Sequence, residues 1–317
     1  MSLINPSNSI YELIILSSAI IIDFLIGEFP EKIHPTVWIG KLANFLKSKL
    51  KGERGRVDIA GGVILTLLTF TIFVIPIYLL SILLVELYWI AYIFIMSLIL
   101  MSTFAIRSME NHILRIITAI EDNNLEEARE KTSLIVSRDT SELDTEEIVS
   151  ASIESTCESI TDGIISPFFY FIFLGVPGAV GFRVVNTLDS MFGYKNSEMK
   201  DFGWGPANLD TLLGFIPARL TAFMMVPSAW FLGEDWKEAM RCASKESGKT
   251  SSINSGWPMA AAAGALNAKL EKQDHYILGE NNQPPTPDHA LRAIKIMKVS
   301  TLLFTLITMG VISIPLL

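Results

Sequence analysis

Three acidic residues recur at every fourth position in the middle of the chain. Glu154, Glu158 and Asp162 stand at i, i+4 and i+8, which places them on one face of a helix over about 12 Å of its length. Carboxylates stacked in this way repel one another unless water or a cation separates them, and Mg²⁺ prefers such hard oxygen ligands. The spacing alone leaves open a solvated helix face and a metal or cationic-substrate site. The broken apolar segment that follows directly favours the second.

A second concentration of polar side chains lies between two apolar segments, at residues 186–210. Amide, carboxylate, ammonium and aromatic groups alternate there with glycines that allow tight turns. A connection of about 25 residues without secondary structure is typically functional or disordered, and its aromatic content argues against disorder. We therefore predict that this loop contributes polar groups to a site.

The composition of the 317 residues limits the classes of protein that can carry these groups. Hydrophobic residues make up 50% of the chain and charged residues only 18%, whereas soluble domains carry about 25% charged residues. The net charge of −8 argues against a nucleic-acid partner, because phosphate groups repel such a surface. The composition therefore favours a membrane enzyme, transporter or scaffold.

The elements that must position the polar groups are apolar helices. Four charge-poor segments are long enough to cross a hydrocarbon layer of about 30 Å, and Glu86 marks the turn between the middle two. These segments are residues 10–27, 59–82, 87–106 and 299–317. Residues 164–185 and 212–232 are apolar but interrupted by Pro and Gly, so we predict that each spans the membrane with a kink or re-enters it. No β-type alternation of useful length is present, which predicts an all-α fold.

Basic residues predict the orientation in the membrane. Residues 41–56 contain six Lys and Arg against a single Glu, so this loop is predicted to be cytoplasmic. Residues 107–162 then return to the cytoplasm as an acidic helical segment, with 5 basic and 14 acidic residues. Asp144 and Glu147 within it have the spacing of a reciprocal helix N-cap. We predict one membrane-embedded domain over residues 1–317, polytopic and helical, with broken or re-entrant helices.

Several long strings of the sequence are distinctive. They lie at residues 23–28, 34–35, 136–140, 186–191, 193–196, 216–221 and 256–258. Together they resemble the cobalamin-biosynthesis family of adenosylcobinamide-phosphate synthases, over roughly residues 15–270. The chain departs from the usual family pattern at Thr250, Ile253 and Met259, where a His, a Pro and a Glu are common.

The resemblance implies an ATP-dependent ligase in the cell membrane, with its active site facing the cytoplasm. Such an enzyme joins a corrinoid acid, adenosylcobyric acid, to aminopropanol or its O-phosphate through an amide bond. ATP is needed because an amine cannot displace hydroxide from a carboxylate at neutral pH. Mg²⁺ would bridge the phosphates, and cationic groups would stabilise the developing charge.

The resemblance also implies roles for individual residues. The catalytic candidates are Asp139, Asp189, Lys195 and Arg219. The substrate-binding candidates are Arg138, Asn186, Tyr194, Asn196, Trp204, Asn254 and Trp257. The Mg²⁺ ligands, direct or through water, would be Glu154, Glu158 and Asp162. Purely structural interpretations are also open, such as a cap pair for Arg138 and Asp139 and interfacial anchors for the tryptophans.

Other functions remain open from the sequence. Broken helices with charges inside the membrane are also found in transporters, so the main alternative is a transporter or scaffold of the corrinoid pathway without ligase activity. The carboxylate stripe alone would also suit a prenyl- or phosphotransferase that uses Mg²⁺-diphosphate. The predicted partners are the two substrates and membrane lipid, without nucleic acid. Homo-oligomers or contacts with other corrinoid-pathway enzymes are compatible with these functions.

Overall fold

The structure, a computed structural model, describes residues 6–27, 29–52, 55–194 and 199–316. Its helices are α1 (Pro6–Ile26), α2 (Pro35–Leu50), α3 (Arg56–Leu87), α4 (Trp89–Met101), α5 (Ile106–Glu121), α6 (Leu125–Ser133), α7 (Thr145–Ile160), α8 (Ser166–Phe192), α9 (Trp204–Leu232), α10 (Trp236–Glu246), α11 (Gly256–Leu266) and α12 (Pro287–Ser313). Two short strands, β1 (Leu270–Lys272) and β2 (Tyr276–Leu278), pair as an antiparallel hairpin. The predicted all-α fold class is confirmed, with this hairpin as a small addition.

Six helical stretches of the described residues are long and apolar enough to cross a membrane. They are Ser9–Ile26, Arg56–Leu87, Trp89–Glu121, Thr145–Phe192, Trp204–Leu232 and Pro287–Leu316. Large apolar side chains on these stretches are exposed, such as Leu67 and Leu79 on α3. Lipid, not water, is the natural surrounding of such faces. The predicted polytopic membrane fold is confirmed.

Contacts within the chain divide it into two compact units. Unit 1 comprises Met1–Ala105, Ser166–Leu213 and Ile307–Leu317, and unit 2 comprises Ile106–Ile165 and Gly214–Leu306. The single membrane-embedded domain predicted over residues 1–317 stays a prediction.

In unit 1, α3 packs against α2 and α8. A Cβ atom at Gly62 on α3 would lie 1.8 Å from the carbonyl oxygen of Phe202, so only glycine fits at this contact. Helix α8 is interrupted at Gly175, whose φ of 65° and ψ of −159° are not helical, and Pro177 follows two residues later. The broken helix that the Gly and Pro content predicts is confirmed.

In unit 2, α7 is a buried helix. Every residue from Ile148 to Cys157 is buried. The helix begins with the predicted reciprocal cap, because Asp144 accepts a hydrogen bond from the Glu147 N–H and Glu147 accepts one from the Asp144 N–H, both at 2.9 Å. It ends in a π turn, Thr161–Ile165, immediately before α8. The cap and the burial together fix the orientation of the acidic side chains that α7 carries.

Candidate functional site

A buried carboxylate on α7, that of Glu154, is the centre of a polar cluster in unit 2. It accepts hydrogen bonds from the Ser150 hydroxyl at 2.7 Å and from the Tyr276 hydroxyl at 2.6 Å. The Arg138 guanidinium lies 3.9 Å from its Oε1 atom. Since Glu154 is only 7% exposed, these groups replace the water that a buried carboxylate loses. The cluster therefore holds one carboxyl group in a fixed position beside one guanidinium group.

The β-hairpin brings Tyr276 to Glu154. The Glu271 N–H donates a hydrogen bond to Ser150 Oγ at 2.9 Å, which attaches β1 to α7. Burial, followed by the neighbouring Glu154 charge, raises the pKa of Tyr276 above its usual range, so its phenol stays protonated and donates at neutral pH. Sequence reasoning missed Ser150 on α7 and Tyr276 on β2. A strand of three residues is too short to produce the alternation that would have revealed Tyr276.

Arg138 and Asp139 are adjacent in the sequence but make different contacts. Arg138 Nη2 donates to the Glu147 carbonyl oxygen at 3.4 Å, and its Nε is buried without a hydrogen-bond partner among the described residues. Asp139 is exposed and accepts a hydrogen bond from the Ser141 N–H at 3.0 Å. This backbone hydrogen bond, together with the Ser141 hydroxyl, lowers the pKa of Asp139. Arg138 therefore faces the Glu154 cluster, whereas Asp139 stabilises its own loop.

The other two carboxylates of the predicted metal site follow Glu154 along the chain. Glu158 is exposed and lies within hydrogen-bonding reach of Ser255. Asp162 is half-buried in the π turn, where the wider turn changes the helical register on which the stripe was predicted. Within the described ranges, no three His, Cys, Asp or Glu side chains lie close enough together to hold a metal ion.

The carboxylates of Glu154, Glu158 and Asp162 suit a Mg²⁺ ion that is bound mainly through the phosphates of the substrate. Mg²⁺ is commonly bound through one or two carboxylates, several waters and substrate phosphates, without a complete protein cage. Both oxygens of Glu154 already accept hydrogen bonds, whereas Glu158 is exposed and has Ser255 within hydrogen-bonding reach. The metal roles of Glu154, Glu158 and Asp162 stay predictions, and Glu158 is the residue best suited to a direct contact.

Two predicted site residues, Asn254 and Trp257, contact a third, Arg219 on α9. Its Nη1 donates to the side-chain oxygen of Asn254 at 2.9 Å, and its Nη2 donates to the Ile253 carbonyl oxygen at 3.1 Å. The guanidinium also lies 3.7 Å from the centre of the Phe215 ring and 5.2 Å from that of Trp257. Hydrogen bonds and cation–π contacts therefore hold the guanidinium plane in one orientation.

The turn before α11 connects the residues around Arg219 with Glu158 on α7. Asn254 contacts Arg219, and the next residue, Ser255, reaches Glu158. The sulfur of Met259 lies 3.9 Å from the Tyr276 hydroxyl. Unit 2 therefore combines carboxylates, guanidinium groups and aromatic rings in one polar region.

Four of the predicted site residues that the structure describes belong to unit 1. Asn186 donates a hydrogen bond to Asp210 Oδ1 at 3.3 Å. Asp189 is half-buried near the end of α8, and Tyr194 and Trp204 are exposed. Their predicted roles in the site stay predictions.

The predictions for Lys195 and Asn196 lie outside the described residues. Of the remaining predicted residues, one set is in unit 2 and one in unit 1, and each set is positioned by its own unit. Their convergence on a single substrate stays a prediction.

Comparison with known proteins identifies the family. A family described as "CobD/Cbib protein" matches residues 16–303. The chain belongs to this family. The resemblance inferred from the sequence strings is confirmed by a match that includes most of both units and all of the candidate residues. No solved structure matches the chain.

The relatives within the CobD/Cbib family extend over nearly the same length as this chain. The "Probable cobalamin biosynthesis protein CobD" of Methanothermobacter thermautotrophicus is 41% identical over 300 residues, which cover 95% of this chain and 98% of the relative. The "Cobalamin biosynthesis protein CobD" of Dehalococcoides mccartyi is 35% identical over 301 residues, covering 95% and 97%. The "Probable cobalamin biosynthesis protein CobD" of Methanocaldococcus jannaschii is 39% identical, covering 93% and 96%. These coverages place the helices and the candidate site within the region that the relatives share.

Proposed function

We propose that the protein acts in cobalamin biosynthesis as an ATP-dependent carbon–nitrogen ligase. It joins the carboxyl group of adenosylcobyric acid to the amine of aminopropanol or of its O-phosphate. The names of the relatives support the pathway. The observation that carries the reaction is the polar region of unit 2, where Asn254 contacts Arg219 and the adjacent Ser255 lies within hydrogen-bonding reach of Glu158.

The chemistry explains why such a region is needed. A carboxylate oxygen of the acid attacks a phosphorus atom of ATP, and ADP or pyrophosphate leaves. The amine nitrogen then attacks the acyl carbon, phosphate or AMP leaves, and the nitrogen loses a proton to a base. Both steps develop negative charge on phosphate oxygens, which positioned cations stabilise.

Each step has candidate groups in this chain. Arg138 and Arg219 supply the cations for phosphate or carboxylate oxygens. Glu158 would hold Mg²⁺, which would offset phosphate charge when it is bound. Glu154 is a positioning residue, because it orients Arg138 and keeps the Tyr276 hydroxyl aligned. Asp189 is the candidate base for the amine proton, and Lys195 is a further candidate cation.

The aromatic residues suit the large planar substrate. Trp257 packs against the Arg219 guanidinium, and Tyr194 and Trp204 are exposed and free to stack on a ring system. The active site faces the cytoplasm, where ATP is available, in line with the six Lys and Arg of residues 41–56.

A transporter or scaffold of the same pathway is the second candidate. Helix α8 is broken at Gly175, and a Cβ at that position would lie 3.7 Å from the carboxylate of Glu12. A broken helix next to a buried acid is also found in secondary transporters. ATP use separates the two functions, since neither a scaffold nor a secondary transporter consumes ATP with the substrates.

The test is an assay of purified full-length protein in lipid nanodiscs. Adenosylcobyric acid, MgATP and either aminopropanol or its O-phosphate are supplied, and mass spectrometry follows the amide and the released nucleotide. We expect one nucleotide to be cleaved for each amide formed, with neither product when the acid or the amine is omitted. Correctly folded protein that forms no amide from either amine would refute the ligase function.

A further inference from the structure

A cavity in unit 1 has no role in the proposed reaction. It has a volume of about 500 Å³ and is lined by residues from α1, α3, α4, α8 and α9. This volume is within the range of about 300–1,000 Å³ that is usual for ligand sites. Most of its lining is aliphatic or aromatic, and several lining side chains on α3, such as Ile75, are exposed on the apolar face of that helix.

The cavity contains one buried carboxylate, that of Glu12. Glu12 is only 6% exposed, and its Oε2 atom is buried without a hydrogen-bond partner among the described residues. None of the described residues that line the cavity is basic. A carboxyl group in apolar surroundings is costly unless a donor satisfies it, and an acid inside a membrane segment is normally paired. The protein therefore presents an acceptor to which no side chain of the lining supplies a cation.

The Glu12 carboxylate and the Phe70 ring approach α8 at different positions along the cavity. Glu12 lies against the break of α8 at Gly175, where the Cβ position is 3.7 Å from its Oε1 atom. Six residues further along α8, the Cβ position of Gly181 is 2.9 Å from the Phe70 ring, and Phe182 and Val74 line the same apolar end. Six helical residues correspond to about 9 Å. A ligand with a polar head and an aliphatic tail would match this arrangement.

We propose that this cavity binds a membrane amphiphile with a protonated amine head, whose ammonium group pairs with Glu12 and whose aliphatic tail lies along Phe70, Val74 and Phe182. An ammonium head matches the site better than a hydroxyl head, since it supplies a donor for the unpartnered Oε2 atom together with a positive charge, which none of the described lining residues provides. An anionic head is excluded by repulsion from the same carboxylate. The break at Gly175 leaves the Glu12 carboxylate accessible to the head group, because glycine has no side chain to cover it.

The test is native mass spectrometry of the full-length protein in a non-ionic detergent, with dodecylamine, dodecanol and dodecanoic acid as probes. We expect dodecylamine to bind about 10- to 100-fold more tightly than dodecanol, as for a hydrogen bond to a charged group, and dodecanoic acid to bind most weakly. Glu12→Gln should remove the preference for the amine. Glu86→Gln is the matched control, because Glu86 is an exposed acid of α3 that does not line the cavity.

A second variant tests the tail independently of the head. Val74→Trp should fill the apolar end and weaken dodecylamine and dodecanol equally, with Glu12 intact. Circular dichroism and thermal unfolding show whether each variant is folded, and Val74→Trp provides the test if Glu12→Gln does not fold. Equal binding of the amine and the alcohol by the native protein would overturn the proposal. Full amine binding by a folded Glu12→Gln variant, or unchanged binding of both probes by Val74→Trp, would overturn it as well.

Discussion

Replacing Tyr276 with phenylalanine removes one oxygen atom from the Glu154 cluster and leaves the ring in place. The Tyr276 hydroxyl is 2.6 Å from Glu154 Oε2, and Glu154 is buried, so water cannot readily take its place. A hydrogen bond to a charged group contributes about 1.5–3 kcal/mol. At about 2–4 °C per kcal/mol, a loss of about 2 kcal/mol lowers the melting temperature by about 4–8 °C.

Thermal unfolding of the purified protein, followed by circular dichroism, measures this change. Tyr88→Phe is the matched control, because Tyr88 is 67% exposed and its hydroxyl should contribute little. A double-mutant cycle with Glu154→Gln isolates the pair, and we expect a coupling energy of about 0.5–3 kcal/mol. If Tyr276→Phe melts at the native temperature, or the cycle gives no coupling, the Glu154 cluster is not held together as described.

Three further predictions concern other parts of unit 2. Burial tends to raise the pKa of Glu246, but hydrogen bonds from the Gly279 N–H (2.9 Å) and Lys249 Nζ (3.0 Å) leave this pKa below its ordinary value. The ionised Glu246 should therefore stabilise the fold at pH values above the ordinary glutamate pKa, and this stability should be lost as the pH falls through the lowered pKa. Glu246→Gln should flatten this part of an acid-unfolding curve. Gly264→Ala should destabilise the protein by about 1–3 kcal/mol, because the added Cβ atom would lie 2.3 Å from the backbone oxygen of Glu238. Gly248→Ala is the control: its added Cβ atom meets open space, so the melting temperature should stay nearly unchanged. Arg219→Lys keeps the charge but loses the two-pronged contact, so kcat/KM for amide formation should fall about 10- to 100-fold, and native-like activity would remove Arg219 from the site.

The fold class could be predicted from the sequence because the signals are local. A charge-poor stretch such as α3 is recognised by its composition, and the cap of α7 is recognised from the spacing of Asp144 and Glu147. The break in α8 lies at Gly175, two residues before Pro177, as the Gly and Pro content of this segment predicts.

The contacts inside the site are less accessible to sequence reasoning. The i, i+4, i+8 stripe assumes an undistorted helix, and no residue type signals the π turn that contains Asp162. Tyr276 reaches Glu154 from 122 positions away in the sequence, through a hairpin too short to have a periodic pattern. Arg219, Asn254 and Trp257 were found only because the family strings contain them, since spacing does not indicate that they meet.

The most direct test of the proposed site is the activity of Glu158→Gln as a function of Mg²⁺ concentration in the amide-forming assay. Glu142→Gln is the control, because Glu142 is an exposed acid of the loop before α7. If Glu158 holds the metal that accompanies ATP, Glu158→Gln should lose at least about 10-fold in rate, as for the loss of a charged contact, and should require more Mg²⁺ for half-maximal activity, while Glu142→Gln behaves as the native protein. A Glu158→Gln variant with native rate and native Mg²⁺ dependence would contradict the assignment of this carboxylate to the active site.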